Sequence, residues 1–139
     1  MTAEEYLRQL WNLDREIEIK YRELEKLRAQ IGIRQMPDNQ DRVVGSGCPQ
    51  DQVADTVIKI VQMEERLNRS IDKLIDLKAK VTRQIDGMEN RTYRNLLTCR
   101  YVLMQSWEEV AETVGYSVQN CYIIREKALQ EFYRLYLKH

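Results

Sequence analysis

The chain has 139 residues, a length that favours one domain or two small ones. Its 22 basic and 22 acidic residues cancel, so the total charge gives no basic footprint for nucleic acid. No apolar run approaches the ~18 residues of a membrane span and the N-terminus contains no apolar signal core, so we expect a cytoplasmic protein without membrane contact.

Residues 2–31 are predicted to form one long helix. Thr2 is suited to cap it, and Glu4 and Glu5 suit the positive end of the helix dipole. Apolar residues recur in steps of four and three, with Lys20 in the single polar slot of the repeat. This seam comprises Tyr6, Leu10, Leu13, Ile17, Leu24, Leu27 and Ile31.

The pattern stops at the segment 32–51, which contains both prolines of the chain. Gly32 stands just past the last apolar position, where a left-handed cap residue is expected. Connections of about twenty residues are uncommon and are usually disordered or functional. The sequence therefore predicts a flexible linker here.

A second long helix is predicted from about residue 52 to 86. Its heptad seam has polar interruptions at Glu64 and Lys78. Additional apolar residues widen the stripe, which predicts contact with more than one neighbour. The seam comprises Val53, Val57, Ile60, Leu67, Ile71, Leu74, Val81 and Ile85, and the additional positions are Ile58, Val61, Ile75 and Leu77.

Two helices of similar length joined by one linker predict an antiparallel hairpin over residues 1–86, serving assembly or partner contact. Aligning the linker ends, Ile31 against Val53, places Lys20 opposite Glu64. We therefore predict that a Lys20–Glu64 pair sets the hairpin register. Such a pair contributes specificity more than stability, because exposed ion pairs give only about 0–1 kcal/mol.

The remainder, 87–139, is predicted to be a smaller helical domain, which makes the fold class all-α. A helix over about 90–104 is followed by a short helix, which Ser106 caps in a Ser-x-x-Glu pattern. Gly115 makes the turn, and Ser117 caps the last helix. The apolar stripe of that helix comprises Cys121, Ile124, Ala128, Leu129 and Phe132.

The two last helices have the spacing of a helix-turn-helix. Ala111 supplies the small residue where the helices touch, Gly115 lies four positions on, and Ser117 caps the second helix. Two other interpretations fit the same pattern. One is an ordinary bundle of three amphipathic helices, and the other is a helix-turn-helix shape that binds a protein instead of DNA.

The stretch LLTCRYVLMQSWEEVAETVGYSVQNCYIIREKALQEF resembles region 4 of the bacterial sigma factors. That family combines an "LRY"-like turn, a capped helix with "EEIA", an "LG-x-S/T" turn and a recognition helix ending in "KAL". The counterparts here are Arg100, Tyr101, Glu108, Glu109, Val110, Ala111, Gly115, Ser117, Lys127, Ala128 and Leu129.

The whole chain also resembles a family of small phage and prophage proteins with a helical N-terminal half and a sigma-like C-terminal unit. A "V-x-x-S" linker, matched by Val43 to Ser46, belongs to that likeness. These proteins are grouped with the late-transcription activators of temperate phages. The likeness implies a phage-type transcription regulator.

The first turns of the predicted recognition helix, whose side chains would contact DNA bases, depart from the sigma pattern. Sigma factors carry arginine and glutamate in the first turns of the recognition helix, whereas this chain has mostly uncharged residues there. We predict base reading by Val118, Gln119, Asn120 and Tyr122, because Gln and Asn amides pair with adenine edges and Val with a thymine methyl. The candidates for contact with the DNA backbone are Arg91, Arg94, Ser117, Arg125 and Lys127.

Catalytic chemistry is not expected. The three cysteines, Cys48, Cys99 and Cys121, form no CxxC pair, and the only histidine is His139. No nucleophile–base arrangement and no glycine-rich phosphate loop is present in the sequence. We therefore predict no catalytic residues, no metal site, no cofactor and no disulfide.

The sequence favours a phage-type regulator that binds double-stranded promoter DNA, with RNA polymerase and a second copy of the chain as further partners. Glu108, Glu109 and Glu112 keep a different class open, a module that contacts polymerase or a sigma factor without DNA. A DNA-packaging adaptor of a phage is the third alternative, and large ring oligomers would favour it.

Overall fold

The computed structural model describes residues 1–34 and 50–138. Five α-helices and two π-helical segments, without a strand, make up the regular structure of these residues, so the all-α prediction is confirmed. The α-helices are α1 (Ala3–Arg34), α2 (Gln50–Asp86), α3 (Arg91–Leu97), α4 (Trp107–Val114) and α5 (Val118–Phe132), and the π-helical segments are Thr98–Val102 and Tyr133–Leu137.

The predicted helix over 90–104 changes character within its length. Asn90 caps α3 by accepting a hydrogen bond from the Tyr93 N–H, and α3 gives way to the π-helical segment after Leu97. There the Leu103 N–H donates to the Thr98 carbonyl at 2.9 Å, a wider turn than that of an α-helix. Met104 follows with a positive φ of 58°, an uncommon backbone conformation for a side chain of this size.

The chain divides into two compact units. The first, here called the core unit, combines Met1–Asp14 with Lys73–His139, and the second, here called the hairpin unit, spans Arg15–Asp72. The predicted boundary between residues 86 and 87 therefore does not separate the compact units. The first part of α1 and the last part of α2 belong to the same unit as α3, α4 and α5.

The core unit is held by one apolar cluster to which every helix contributes. Leu7 and Leu10 come from α1, and Val81 and Ile85 come from α2. The segment after Leu97 adds a fully buried aromatic ring, that of Tyr101. The predicted stripe of α5 is confirmed, since four of its residues are buried and the fifth packs against the cluster: Cys121, Ala128, Leu129 and Phe132, with Ile124.

The hairpin unit pairs α1 with α2 in an antiparallel manner, as predicted. Leu24 and Leu67 are its buried apolar residues among those described. Apolar side chains also lie on its surface, with exposed fractions of 43 to 54%. These exposed residues are Ile19, Tyr21, Val57, Ile58 and Val61.

The predicted hairpin register is wrong. Glu64 pairs with Arg28, whose Nη2 lies 2.7 Å from the Glu64 carboxylate, and not with Lys20. Lys20 precedes Arg28 by eight residues, which is about 12 Å along a helix. The prediction aligned the linker ends, whereas the α1–α2 pairing follows apolar burial and the contact of Tyr6 with Gln84, whose side chains are 2.7 Å apart.

The predicted linker over 32–51 falls largely outside the described residues. Residues 35–49, including the Val43 to Ser46 stretch, lie outside the described residues. At its edges the linker prediction was too wide, because residues 32–34 extend α1 and residues 50–51 begin α2.

Candidate nucleic-acid interface

The turn between α4 and α5 depends on Gly115. Its φ of 82° lies in the left-handed region, which glycine adopts without the strain that a Cβ would cause. The N–H groups of Gly115 and Tyr116 both donate to the carbonyl of Ala111, at 2.9 and 3.3 Å. The end of α4 is thus closed within a single turn, and the chain is redirected into α5.

Both helices begin at the predicted serine caps. Ser106 Oγ accepts the Glu109 N–H at 3.2 Å, and the same hydroxyl donates to the Glu109 carboxylate at 3.1 Å. Ser117 Oγ accepts the Asn120 N–H at 3.1 Å. Ser117 is therefore the N-cap of α5, in addition to being a candidate for contact with the DNA backbone.

The first turns of α5 present the predicted base-reading side chains to solvent. Gln119 and Asn120 are exposed, Tyr122 is 45% exposed, and Val118 is half-buried. Ile123, for which no role was predicted, is 55% exposed. Lys127 is also exposed, one turn further along.

Arg125 does not share this outward face. Its Nη2 lies 2.7 Å from Glu126 and 3.8 Å from Glu4, and its guanidinium stands 5.8 Å from the Trp107 ring. Burial lowers the pKa of Arg125, but the hydrogen bond that Arg125 donates to Glu126 and the charge of Glu4 outweigh it and raise that pKa above its ordinary value. Arg125 therefore packs within the fold, and its contact with the DNA backbone stays a prediction.

Arg94 is likewise engaged within the fold. Its Nη1 donates to the carbonyls of Met88 and Glu89, at 2.7 and 3.0 Å, and so ties α3 to the turn that follows α2. Arg91, at the start of α3, is exposed. Of the four basic candidates, Arg91 and Lys127 are therefore the ones with exposed side chains.

A stack of arginine and tryptophan side chains includes the first residue of α4, and the sequence did not predict it. The Arg100 guanidinium stands 4.6 Å from the rings of both Trp11 and Trp107. The Trp11 indole N–H donates to the Arg100 carbonyl at 3.2 Å, and the Tyr122 ring meets Trp107 edge-on at 5.0 Å. We call Trp11, Arg100 and Trp107 the Arg–Trp stack.

The Arg–Trp stack links α1 to the start of α4. Partial burial lowers the pKa of Arg100, because removal from water disfavours the charged guanidinium. Trp11 thus packs against Arg100 within its own chain. No sequence pattern identifies this contact, because 89 residues separate Trp11 from Arg100.

The charge around the interface is mixed. Glu108, Glu109 and Glu112 are exposed on α4. From Asp86 onward the chain has seven acidic and seven basic residues, as counted along the sequence. Phosphate neutralisation supplies most non-specific affinity for DNA, so this surface is suited to weak non-specific binding at most.

Within the described residues no three His, Cys, Asp or Glu side chains come together as a metal site. Cys99 and Cys121 are buried free thiols, and burial raises the pKa of both. None of the described helices has an apolar stretch of the length needed to cross a membrane. The absence of a cofactor or catalytic group stays a prediction.

The fold and this surface define an all-α protein with two capped helices around a glycine turn. The chain belongs to the family described as "Protein of unknown function (DUF1492)", which matches residues 35–133. That match includes α2, α3, α4 and α5. No curated protein and no solved structure matches the chain.

Proposed function

We propose that this protein is a cytoplasmic transcription regulator of phage or prophage type that binds promoter DNA through α5. The observation that carries the proposal is the exposed pair Gln119 and Asn120 on a helix whose start is capped and fixed by the Gly115 turn. Side chains at the start of a second helix are the ones that reach base edges in helix-turn-helix proteins. The sigma-like sequence pattern supports the same proposal.

The fold fixes the position of α5 through contacts on the face opposite its exposed side chains. Phe132 and Cys121 are fully buried, so the inner face of α5 is fixed in the apolar cluster. The Tyr122 ring packs edge-on against Trp107, and the Trp107 ring packs against the Arg100 guanidinium. A reading helix must keep its side chains within a fraction of an ångström of their base partners, and this backing meets that need.

A single unit of this size reads a short site, so useful specificity requires a second unit or tethering to polymerase. We propose that a second copy of the chain supplies it, through the exposed apolar residues of α2. Val57, Ile58 and Val61 are 43 to 54% exposed on successive turns of that helix. Sedimentation of the protein should then give a dimer, whereas large rings would favour the packaging-adaptor alternative.

The test is a binding titration on DNA that flanks the protein's own gene. We expect Gln119→Ala with Asn120→Ala to reduce the preference for that DNA over a scrambled duplex, since each lost base contact costs about 1–3 kcal/mol. Lys127→Ala should weaken both duplexes alike and lower the salt slope by about one. Lys80→Ala, an exposed lysine of α2, serves as the control and should change neither.

If none of the α5 variants alters DNA binding, another surface of the protein binds the DNA and the proposal is contradicted.

One observation favours the protein-interaction alternative. Tyr116, Tyr122 and Ile123 expose 43 to 55% of their surface, and the acidic residues of α4 are exposed as well. Co-purification of RNA polymerase with no retention of any duplex would support that alternative.

A further inference from the structure

The first two turns of α5 expose uncharged side chains only. Gln119 and Asn120 carry amides, and Tyr122 and Ile123 carry an aromatic ring and a branched aliphatic chain. Ile123 lies four positions after Gln119 and three after Asn120, and neighbours at these spacings share one helix face. One continuous surface therefore combines two amides with an apolar group.

An amide side chain reads adenine in the major groove. It accepts from the adenine N6 amino group and donates to N7, a pairing whose geometry guanine does not offer. Within the described residues the side chains of Gln119 and Asn120 form no hydrogen bond, and both are exposed. Their amides are available for that pairing.

The first two turns of α5 contain no arginine or lysine, and Lys127 lies one turn further along. Guanine O6 and N7 are bound by Arg or Lys, and the nearest arginine of α5, Arg125, is held against Glu126 and Trp107. Cytosine N4 is bound by Asp or Glu, and the Glu126 carboxylate already accepts from Arg125 at 2.7 Å. G·C pairs therefore find no free charged partner in the first two turns.

Apolar groups on the same face distinguish thymine. Thymine carries a C5 methyl in the major groove, and apolar side chains contact it. Ile123 is 55% exposed, and burial of its aliphatic chain against a methyl group is favourable. The Tyr122 ring, supported edge-on by Trp107, adds a second apolar contact at a fixed position.

We infer that α5 recognises double-stranded DNA through a core of A·T pairs, with Gln119 and Asn120 reading adenines and Ile123 reading a thymine methyl. This inference rests on the proposed function and adds the class of DNA sequence to it. The core spans about three to five base pairs, since three or four side chains of a reading helix reach base edges.

The first experiment selects bound duplexes from a pool with a random 20-base-pair centre, using the full chain. We expect the retained duplexes to share a short A·T core. A shared G·C core, or retention without any shared core, overturns this inference and leaves the proposed function standing. No retention of any duplex at low salt overturns the proposed function itself.

The second experiment assigns the contacts by base analogues in the selected duplex. Deoxyuridine in place of thymidine removes the methyl group, and 7-deazaadenine in place of adenine removes the N7 acceptor. Each replacement should weaken binding roughly tenfold at the contacted position. Ile123→Ala should lose the response to deoxyuridine, and Asn120→Ala or Gln119→Ala the response to 7-deazaadenine.

The matched control is Gln130→Ala, an exposed amide on the same helix three turns beyond Gln119. It should leave both analogue responses unchanged. The substitution Asn120→Arg should shift the selected core toward guanine, because arginine pairs with O6 and N7. If the analogue responses persist in Ile123→Ala, Asn120→Ala and Gln119→Ala, the assignment of these contacts is overturned.

Discussion

Single residues in the core unit have roles that their sequence neighbours do not indicate. Arg100 stands in the "LRY"-like turn of the sigma pattern, yet its guanidinium lies between two tryptophan rings. Its Nη1 also donates to the Gln105 carbonyl at 2.9 Å, and so fixes the connection that leads into α4. The residue therefore stabilises the position of the short helix in front of α5.

Removal of Trp11 should measure the contribution of the Arg–Trp stack. We expect Trp11→Ala to lower the free energy of unfolding by about 2–4 kcal/mol, because it leaves a cavity and removes a ring from Arg100. Urea unfolding provides the measurement. Trp11→Phe should restore part of the loss, since the ring returns without the indole N–H; equal losses in both variants would contradict stacking.

We expect ionisation of the Tyr101 phenol to lower the stability of the fold at alkaline pH. Burial, with the nearby charge of Glu4, raises the pKa of Tyr101 from 10.0 to about 12. The folded state holds the phenol proton of Tyr101 more tightly than the unfolded state does. The resulting contribution of Tyr101 to the free energy of unfolding is therefore complete below pH 10 and is lost between pH 10 and 12. We expect a loss of about 1.4 kcal/mol at pH 11 relative to pH 8.

The comparison for Tyr101 is the substitution Tyr101→Phe, which has no phenol to ionise. Other titrating groups affect both proteins alike, so the difference between their unfolding free energies isolates this residue. The variant should lose less stability than the native chain between pH 8 and 11. Parallel losses would show that Tyr101 ionises as easily in the folded state as in the unfolded state.

At the scale of elements, local residue chemistry sets where helices begin and end. Ser106, Ser117 and Gly115 were identified from the sequence, and each has the predicted hydrogen bond or backbone conformation. The exception is the helix after Asn90, which changes to a π-helical segment. Cys99, Tyr101 and Val102 are all buried there, so tertiary packing outweighed the regular α-helical spacing.

Two glycine substitutions should have different effects on the free energy of unfolding. Gly115→Ala should destabilise by about 1–2 kcal/mol, because a Cβ is strained at a φ of 82°. Gly32→Ala should be neutral or stabilise by up to about 1 kcal/mol, since Gly32 lies within α1 and nothing stands within 4 Å of its Cβ position. Thermal unfolding of both variants tests this, and equal shifts would contradict the left-handed turn.

At the scale of the whole molecule, the N-terminus is part of the core unit. Ala3, Leu7 and Leu10 are at most 5% exposed and lie in the same cluster as Phe132 of α5. The sequence placed a domain boundary near residue 86 because the heptad pattern stops there. The cluster instead combines residues that are distant in sequence.

This arrangement predicts that a fragment of residues 87–139 does not fold alone. Without α1 and α2 it loses the apolar partners that cover α3 and α5, and about fifty residues bury too little surface for stability. Circular dichroism should show much less helix per residue in this fragment than in the full chain. A cooperative thermal transition in the isolated fragment would contradict the prediction and restore the boundary at 86.

The sequence by itself determined the all-α class, the serine caps, the glycine turn and the apolar stripe of α5. These features depend on residues within a few positions of one another, so periodicity and cap chemistry suffice to find them. Only the tertiary structure decided the hairpin register, the Arg–Trp stack, the core unit and the inward positions of Arg94 and Arg125. Those depend on contacts between distant residues, and burial within one shared cluster determines them more strongly than any local pattern.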